Sequence, residues 1–408
     1  MCHSICDAIP AQSATAGSSR IASRRVFLAL AGSMVASRPL RSGNAHPDAG
    51  TMEPPRPLAA PQHSAFAQAL TRARTQAEWA HFKASFITPE GRVVDHGNGG
   101  ISHSEGQALA LLFAAHFDEP DTFARILRWT RATLSRPDDH LLAWCHRPGE
   151  PARPGDRNNA TDGDLVAAWA LAEAADRWGQ PLHRDLARAM ARDVLAKMVV
   201  ATDHGPVLLP GIAGFRQPDS ITVNLSYYVY PAFQALSRLL PSREWAPLAE
   251  GGLQLTRLAR FGRWGLVPDW ISVPRGPGRI GIAADHPARF SYDAVRVPLY
   301  LAWGGHGGEP AVSAAAQFWH DPSLRRMPAW ADLRTNETSP YAADPGIAAV
   351  AQVSAMASQP GFVPRQVSAA VLTPTYYAAA LRLMSALAVR AIPTSAGPAA
   401  SNAVMASR

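Results

Sequence analysis

The segment Asn158-Asn159-Ala160-Thr161-Asp162-Gly163-Asp164 runs directly into Leu165-Val166-Ala167-Ala168-Trp169-Ala170-Leu171. The change from polar to apolar predicts a helix over 162–178, with Thr161 as its cap and Asp164 three residues on, so that Asp162 stands in the first turn. An acid there is favoured by the positive end of the helix dipole. Two acids and a glycine at the head of so dense an apolar helix are more than one cap requires. The arrangement recurs twice. Ser104-Glu105-Gly106-Gln107 has capping-box spacing before Ala108-Leu109-Ala110-Leu111-Leu112-Phe113 and puts Glu105 at the first helical position. In Phe290-Ser291-Tyr292-Asp293-Ala294-Val295-Arg296, Ser291 is the cap, Asp293 falls in the first turn, and Arg296 lies one turn further on the same face.

Outward from these three starts, the 3.6-residue apolar period predicts helices over 64–86, 104–117, 120–135, 162–178, 183–199, 226–240, 245–260, 293–303, 309–318, 344–357 and 375–390. They fall in neighbouring pairs joined by Gly/Pro-rich loops. Alternating strand patterns are short, as in Gly91-Arg92-Val93-Val94-Asp95 and Gly205-Pro206-Val207-Leu208-Leu209. Successive helical hairpins build either a solenoid or a closed barrel. A solenoid carries a repeat of roughly 20–50 residues, and none is visible. The expectation is therefore an all-α, closed α/α barrel with short strands in its loops. The inner helices of such a barrel run one way, so their N-termini meet at one mouth and gather Glu105, Asp162 and Asp293 around one cleft. Clustered carboxylates push their pKa values apart, leaving one protonated and one ionised. An acid and a base across a groove are the equipment of glycoside hydrolysis.

Composition narrows the alternatives. With 47% hydrophobic and 17% charged residues in 408, the chain is not intrinsically disordered over most of its length and has material for a large core. The net charge of +7 does not mark a nucleic-acid binder. Residues 1–45 carry Arg20, Arg24, Arg25, Arg38 and Arg41 against Asp7 alone, and the rest of the chain has no Lys/Arg run. Cys2, Cys6 and Cys145 show no CxxC or His/Cys ligand spacing, so no metal site is expected. Ser23-Arg24-Arg25-Val26-Phe27-Leu28, followed by a short apolar run to Ala36, reads as a twin-arginine-type export signal within 1–45. That run is too short to span a bilayer, and no other stretch is long and apolar enough. The expectation is a periplasmic or secreted protein with no membrane span after processing. Residues 46–62 are a Pro-rich linker, 63–390 the barrel, and 391–408 a low-complexity tail.

The acidic segments resemble glycoside hydrolase family 8, and especially its bacterial endoglucanases that accompany cellulose synthase. Ala160-Thr161-Asp162-Gly163-Asp164, with Ala168, Ala172 and Trp178 downstream, follows that family's helix signature. Ser104-Glu105-Gly106-Gln107 and Tyr292-Asp293-Ala294-Val295-Arg296 are similar to its other two motifs. Further matches are Trp79 with Phe82-Lys83 and Phe86, Gly91–Asp95, Leu141-Leu142-Ala143-Trp144, Leu208-Leu209-Pro210-Gly211, Asn224-Leu225-Ser226-Tyr227 and Pro268-Asp269-Trp270. The resemblance runs from about residue 79 to 390. One departure is Ala108-Leu109-Ala110, where relatives commonly carry an aromatic residue.

The resemblance implies an (α/α)6 barrel that cleaves β-1,4-glucan by inversion, with no metal or organic cofactor, and a place beside the cellulose synthase complex. It implies Glu105 as general acid and Asp293 as general base. Asp162 matches an active-site Asp that is often labelled a nucleophile. Inversion needs no covalent intermediate, so Asp162 is read instead as holding and distorting the sugar and tuning Glu105. Glu105 must be protonated to act, so burial and Asp162 are expected to raise its pKa against the helix dipole. Asp293 is expected to stay ionised beside Arg296. Tyr292 and Arg296 shape the same subsite, and Trp79, Trp144, Tyr227 and Trp270 are candidates for stacking on sugar faces. Xylan, mixed-linkage glucan or chitosan would serve the same catalytic parts, although 32 acidic residues do not suggest a groove lined for amines. A polysaccharide-binding subunit without catalysis would not need all three acids, and a helical repeat scaffold would need the missing period.

Overall fold

The computed structural model describes residues 60–151, 154–359 and 373–392. The expected signal segment 1–45 and all but the first two residues of the expected tail lie outside these. The described residues fall in two units, 60–69 at the start of the first helix in one and those from Leu70 onward in the other. Eleven helices occur among the described residues. They are α1 (Ala60–Phe86), α2 (Ser104–His116), α3 (Pro120–Leu134), α4 (Thr161–Trp178), α5 (Pro181–Met198), α6 (Tyr230–Leu239), α7 (Trp245–Leu258), α8 (Arg296–Trp303), α9 (Pro310–Trp319), α10 (Pro345–Ser358) and α11 (Tyr376–Ala391). Prolines at the first positions of α3, α5, α9 and α10 start those helices where a missing N–H costs nothing. None of the described helices is long and apolar enough to cross a membrane.

Inner and outer helices are told apart by what they bury. Every residue of α2 from Ser104 to Ala115 is buried, and α4 is buried on nearly all sides. A helix apolar all round belongs in the middle of a fold. By contrast α5 buries only Ala187, Met190, Ala191, Val194, Leu195 and Met198, a single stripe at helical spacing. Hairpins of one inner and one outer helix follow each other, and α2 packs on α4, α4 on α6, α6 on α8, and α8 on α10 and α11. Phe82 of α1 closes the circle. Its ring lies 5.7 Å from Phe113 of α2 and 5.9 Å from Tyr376 of α11. The architecture is the expected all-α barrel, an (α/α)6 fold.

Among the described residues, nine short strands sit in the loops between the helices. β1 (Ser102–His103) pairs with β2 (Cys145–His146) at the head of α2. β3 (Val199–Thr202) and β4 (Gly205–Leu208) form a hairpin after α5. β5 (Ser220–Val223), β6 (Ile271–Pro274) and β7 (Gly281–Ile282) make an antiparallel sheet. β8 (Arg289–Phe290) pairs with β9 (Ala331–Asp332) just before the turn that leads into α8. Expectation and fold differ at three starts. The helix expected from 64 begins at Ala60, within the end of the segment 46–62 expected as linker. The 226–240 helix begins as a 3-10 turn at Leu225–Tyr227 and becomes α6 only at Tyr230, and the 293–303 helix begins at Arg296.

Candidate active site

The heads of α2 and α4 meet, and a glycine permits it. A Cβ on Gly163 would lie 2.4 Å from Ser104 Oγ and 2.9 Å from Glu105 N. With no side chain there, Asp162 and Glu105 come to one point. Neither helix is capped as its spacing predicted. His103 caps α2, its Nδ1 accepting from Gly106 N at 3.0 Å, while Ser104 Oγ has no partner among the described residues. Gln107 turns inward, accepting from Val93 N at 2.5 Å and donating to Thr130 Oγ1 at 2.7 Å. Thr161 is the first residue of α4 and donates to Leu209 O at 2.7 Å. Asp164 accepts from Leu142 N and from Asn159 Nδ2, each at 2.8 Å. The polar residues of both motifs therefore tie loops to the helix heads instead of capping them. Asp293 also departs from expectation. It lies in the turn before α8, because Ser291 is drawn to Asp269 and does not cap a helix.

Arg296 draws the three acids together. Its Nη1 donates to Glu105 Oε2 at 2.5 Å and to Asp162 Oδ2 at 3.0 Å. Its Nη2 donates to Asp293 Oδ1 at 2.8 Å and to Ser226 Oγ at 3.1 Å. Ser226 is itself held by Asn224 Oδ1 at 2.7 Å. The guanidinium is 3% exposed and the Asp293 side chain 18%, so Asp293 is the member that faces outward. Tyr376, at the first turn of α11, donates to Glu105 Oε1 at 3.4 Å.

Three carboxylates share one cation, so one of them is forced toward its protonated form. Burial pushes Asp162 up to about 7, with Glu105 and Asp293 adding to it against Arg296. Asp293 is also raised, first by burial and then by Glu105, with Arg296 opposing. Burial is the largest single influence on Glu105 and pushes it up, but the Arg296 charge, His103 and the Tyr376 hydroxyl together outweigh it and hold the group below the usual carboxylate range. This reverses the expected order for the pair, since Asp162 is the carboxyl that keeps its proton. The physical reason is the 2.5 Å contact to Arg296, which a helix-start reading of Glu105 does not contain.

The four expected stacking platforms are core residues. Trp79 is 0% exposed, packed between Phe82 and Phe117 with its Nε1 on Glu119. Trp144 is buried and donates to Asp156 at 2.7 Å. Trp270 is sandwiched between Phe215 and His286, and Tyr227 packs against its edge. None of these buried rings offers an open face. Tyr292 does stand at the mouth, half-buried, its hydroxyl 3.1 Å from that of Tyr341, which is exposed. Tyr377 donates to Tyr292 O. Tyr292, Tyr341 and Tyr377 line a cavity of about 240 Å³ with Asp95 and Asp344. Sequence reasoning missed Ser226, Tyr376 and Tyr341. Ser226 and Tyr376 had a usable signal, since each begins or precedes an inner helix, as Glu105 and Asp162 do. Tyr341 lies in a loop without period and had none.

Comparisons with known proteins give the family and the fold. The family model described as glycosyl hydrolases family 8 matches residues 56–391. A probable endoglucanase of Novacetimonas hansenii is 41% identical over 307 residues, 75% of this chain and 88% of that protein. An endoglucanase of Cellulomonas uda is 34% identical over 282 residues, 69% of this chain and 78% of its own. Among solved structures, the endo-beta-1,4-glucanase CMCax from Acetobacter xylinum superposes with a TM-score of 0.72 at 40% identity, covering 79% of this chain and 99% of that one. With three acids from separate elements joined on one arginine inside an (α/α)6 barrel, the chain belongs to glycosyl hydrolases family 8.

Proposed function

We propose that this chain hydrolyses internal β-1,4-glucosidic bonds with inversion, using Glu105 as general acid, Asp293 as general base and Asp162 to hold the sugar at the cleavage point. The observation that carries the reading is the single buried guanidinium of Arg296 gripping all three carboxylates. An inverting pair must leave room for a water and stands roughly 6.5–9.5 Å apart. Glu105 and Asp293 sit on different nitrogens of that guanidinium, which keeps them separate, and the more exposed Asp293 is the one suited to receive water. The resting Glu105 is held down by Arg296. A sugar hydroxyl that takes over part of Arg296's hydrogen bonding loosens that hold. Burial, already the largest influence on Glu105, then raises it, and the proton on Asp162 lies across the same guanidinium nitrogen.

A β-1,4-glucan as substrate is supported by the relatives, a probable endoglucanase, an endoglucanase and the endo-beta-1,4-glucanase of Acetobacter xylinum. We further propose export through the twin-arginine-type segment and work beside a cellulose synthase complex in the periplasm or outside the cell. The decisive experiment measures reducing-end release from carboxymethylcellulose, mixed-linkage glucan, xylan and chitosan, using protein lacking residues 1–45. Strongest release from carboxymethylcellulose is expected, and preference for xylan or chitosan overturns the substrate. Fresh product followed by NMR should appear first as the α-anomer. A β-anomer first would mean a covalent route and would return the nucleophile role to Asp162.

A further inference from the structure

We infer that Asp269 is a positioning residue that fixes the Asp293 turn, a role that rests on Asp293 acting as the base. Asp269 is buried and reaches the turn at three points. Its Oδ1 accepts from Ser291 N at 2.9 Å and from Ala294 N at 2.8 Å, and Ser291 Oγ donates to Oδ2. Those donors bracket Tyr292 and Asp293 on both sides. The main chain of Asp269 is tied to the same segment, its N donating to Arg289 O at 2.7 Å. The Asp269 side chain and backbone thus hold residues 289–294 from one side, while β9, Tyr377 and Arg296 hold Arg289–Phe290, Tyr292 and Asp293 from the other.

The support behind Asp269 is rigid. Trp270, next in the chain, is clamped between Phe215 at 5.8 Å and His286 at 4.6 Å, both nearly parallel to it. Ile271–Pro274 continues as the middle strand of the three-stranded sheet. A base that works by geometry needs such a foundation, because Asp293 lies in a turn ahead of α8, where the backbone is held by Val295 N on Ser291 O at 2.9 Å and Arg296 N on Asp293 O at 3.1 Å and not by a continuous helix. Stability alone does not explain a carboxylate at this position. Burial and the nearby Asp293 push Asp269 up to about 7, so its ionised form is disfavoured where it stands.

The test compares Asp269→Ala and Asp269→Asn with the natural protein on a soluble cello-oligosaccharide, with thermal unfolding in parallel. Removing all three bonds should lower kcat by ~10²-fold, the scale of a misplacement of about 1 Å, with KM within ~3-fold. Asparagine keeps an oxygen for Ser291 N and Ala294 N, and should recover at least ~10-fold of the loss. A folded Asp269→Ala with kcat within ~3-fold of the natural protein overturns the inference, as does an asparagine variant no better than alanine. Should the alanine variant not fold, Asp269→Asn decides alone. A drop in kcat of ~3–10-fold supports positioning, and an unchanged kcat overturns it. Asp293→Ala is run beside them. If it stays active, the base assignment itself is wrong and the positioning role falls with it. If it is inactive while the Asp269 variants are unimpaired, only the positioning role fails.

Discussion

Gly163→Ala puts one methyl group at the contact between the two helix heads. The new Cβ would stand 2.4 Å from Ser104 Oγ and 2.9 Å from both Ser104 Cβ and Glu105 N. Ordinary contact starts about 1 Å further out than the first of these, so α2 and α4 must part by about that much. Overpacking of this kind costs ~1–3 kcal/mol. The better helix propensity of alanine returns at most ~1 kcal/mol. The net cost is ~1–2 kcal/mol, a few degrees in Tm for a domain of this size. Function should suffer far more. Asp162 precedes the methyl and Glu105 follows Ser104, so the displacement falls on two of the three carboxylates that Arg296 holds. A shift of about 1 Å at reacting groups costs ~10²-fold in rate. We therefore expect kcat on carboxymethylcellulose to fall ~10²-fold while differential scanning calorimetry shows a small loss in Tm. The exchange variant Ser104→Gly/Gly163→Ala removes two of the three close contacts and leaves only Glu105 N. It should regain at least ~10-fold, a non-additive result that only neighbours give. Gly163→Ala with kcat within ~3-fold of the natural protein would refute the claim that this contact sets the geometry of the acids.

Other outcomes follow from the same site. Glu105→Gln keeps the shape but cannot donate a titrating proton, so activity should fall at least ~10²-fold with little change in Tm, and a variant retaining most of its activity would reduce Glu105 to a helix-start residue. Burial, the largest influence in each case, pushes Asp162, Asp164 and Asp269 to about 7. A carboxyl raised in the folded state holds a proton that the unfolded chain has lost, so its stabilising effect is complete below about 4 and disappears as pH rises through about 7. His116 and His183, lowered by burial, oppose this but are fewer. Tm should fall from pH 5 to pH 7, and a Tm that climbs over that interval contradicts the three raised acids. For export, Arg24→Lys with Arg25→Lys should leave the precursor inside the cell, as cell fractionation would show; normal export of that variant removes the twin-arginine reading.

Helices were legible because burial imposes a period, and the predicted and observed bounds differ by a residue or two for most of them. The caps were less legible. Ser104 and Thr161 had the right chemistry and spacing, but β1 delivers His103 to the capping position, and Thr161 is drawn to Leu209. Such competition is tertiary and leaves no mark in a short window of sequence. The Asp293–Arg296 pair was visible as a local contact, and it forms at 2.8 Å. That Arg296 also binds Glu105 and Asp162 was not, since those acids lie 191 and 134 residues away. The tryptophans show the opposite difficulty. An indole that fills a core and one that greets a sugar are the same letter, and only packing separates them.

The contact between Tyr376 and Glu105 joins groups 271 residues apart, and the aromatic packing of Phe82 on Tyr376 lies beside it. A ribosome adding ~5–20 residues per second needs roughly 15–50 s to travel from the acid to the tyrosine that completes its surroundings. Throughout that interval the nascent chain carries its charged head groups without the ring that encloses them. Newly made protein should therefore be catalytically silent until α11 has been synthesised, and truncation before α11 should abolish activity outright instead of grading it.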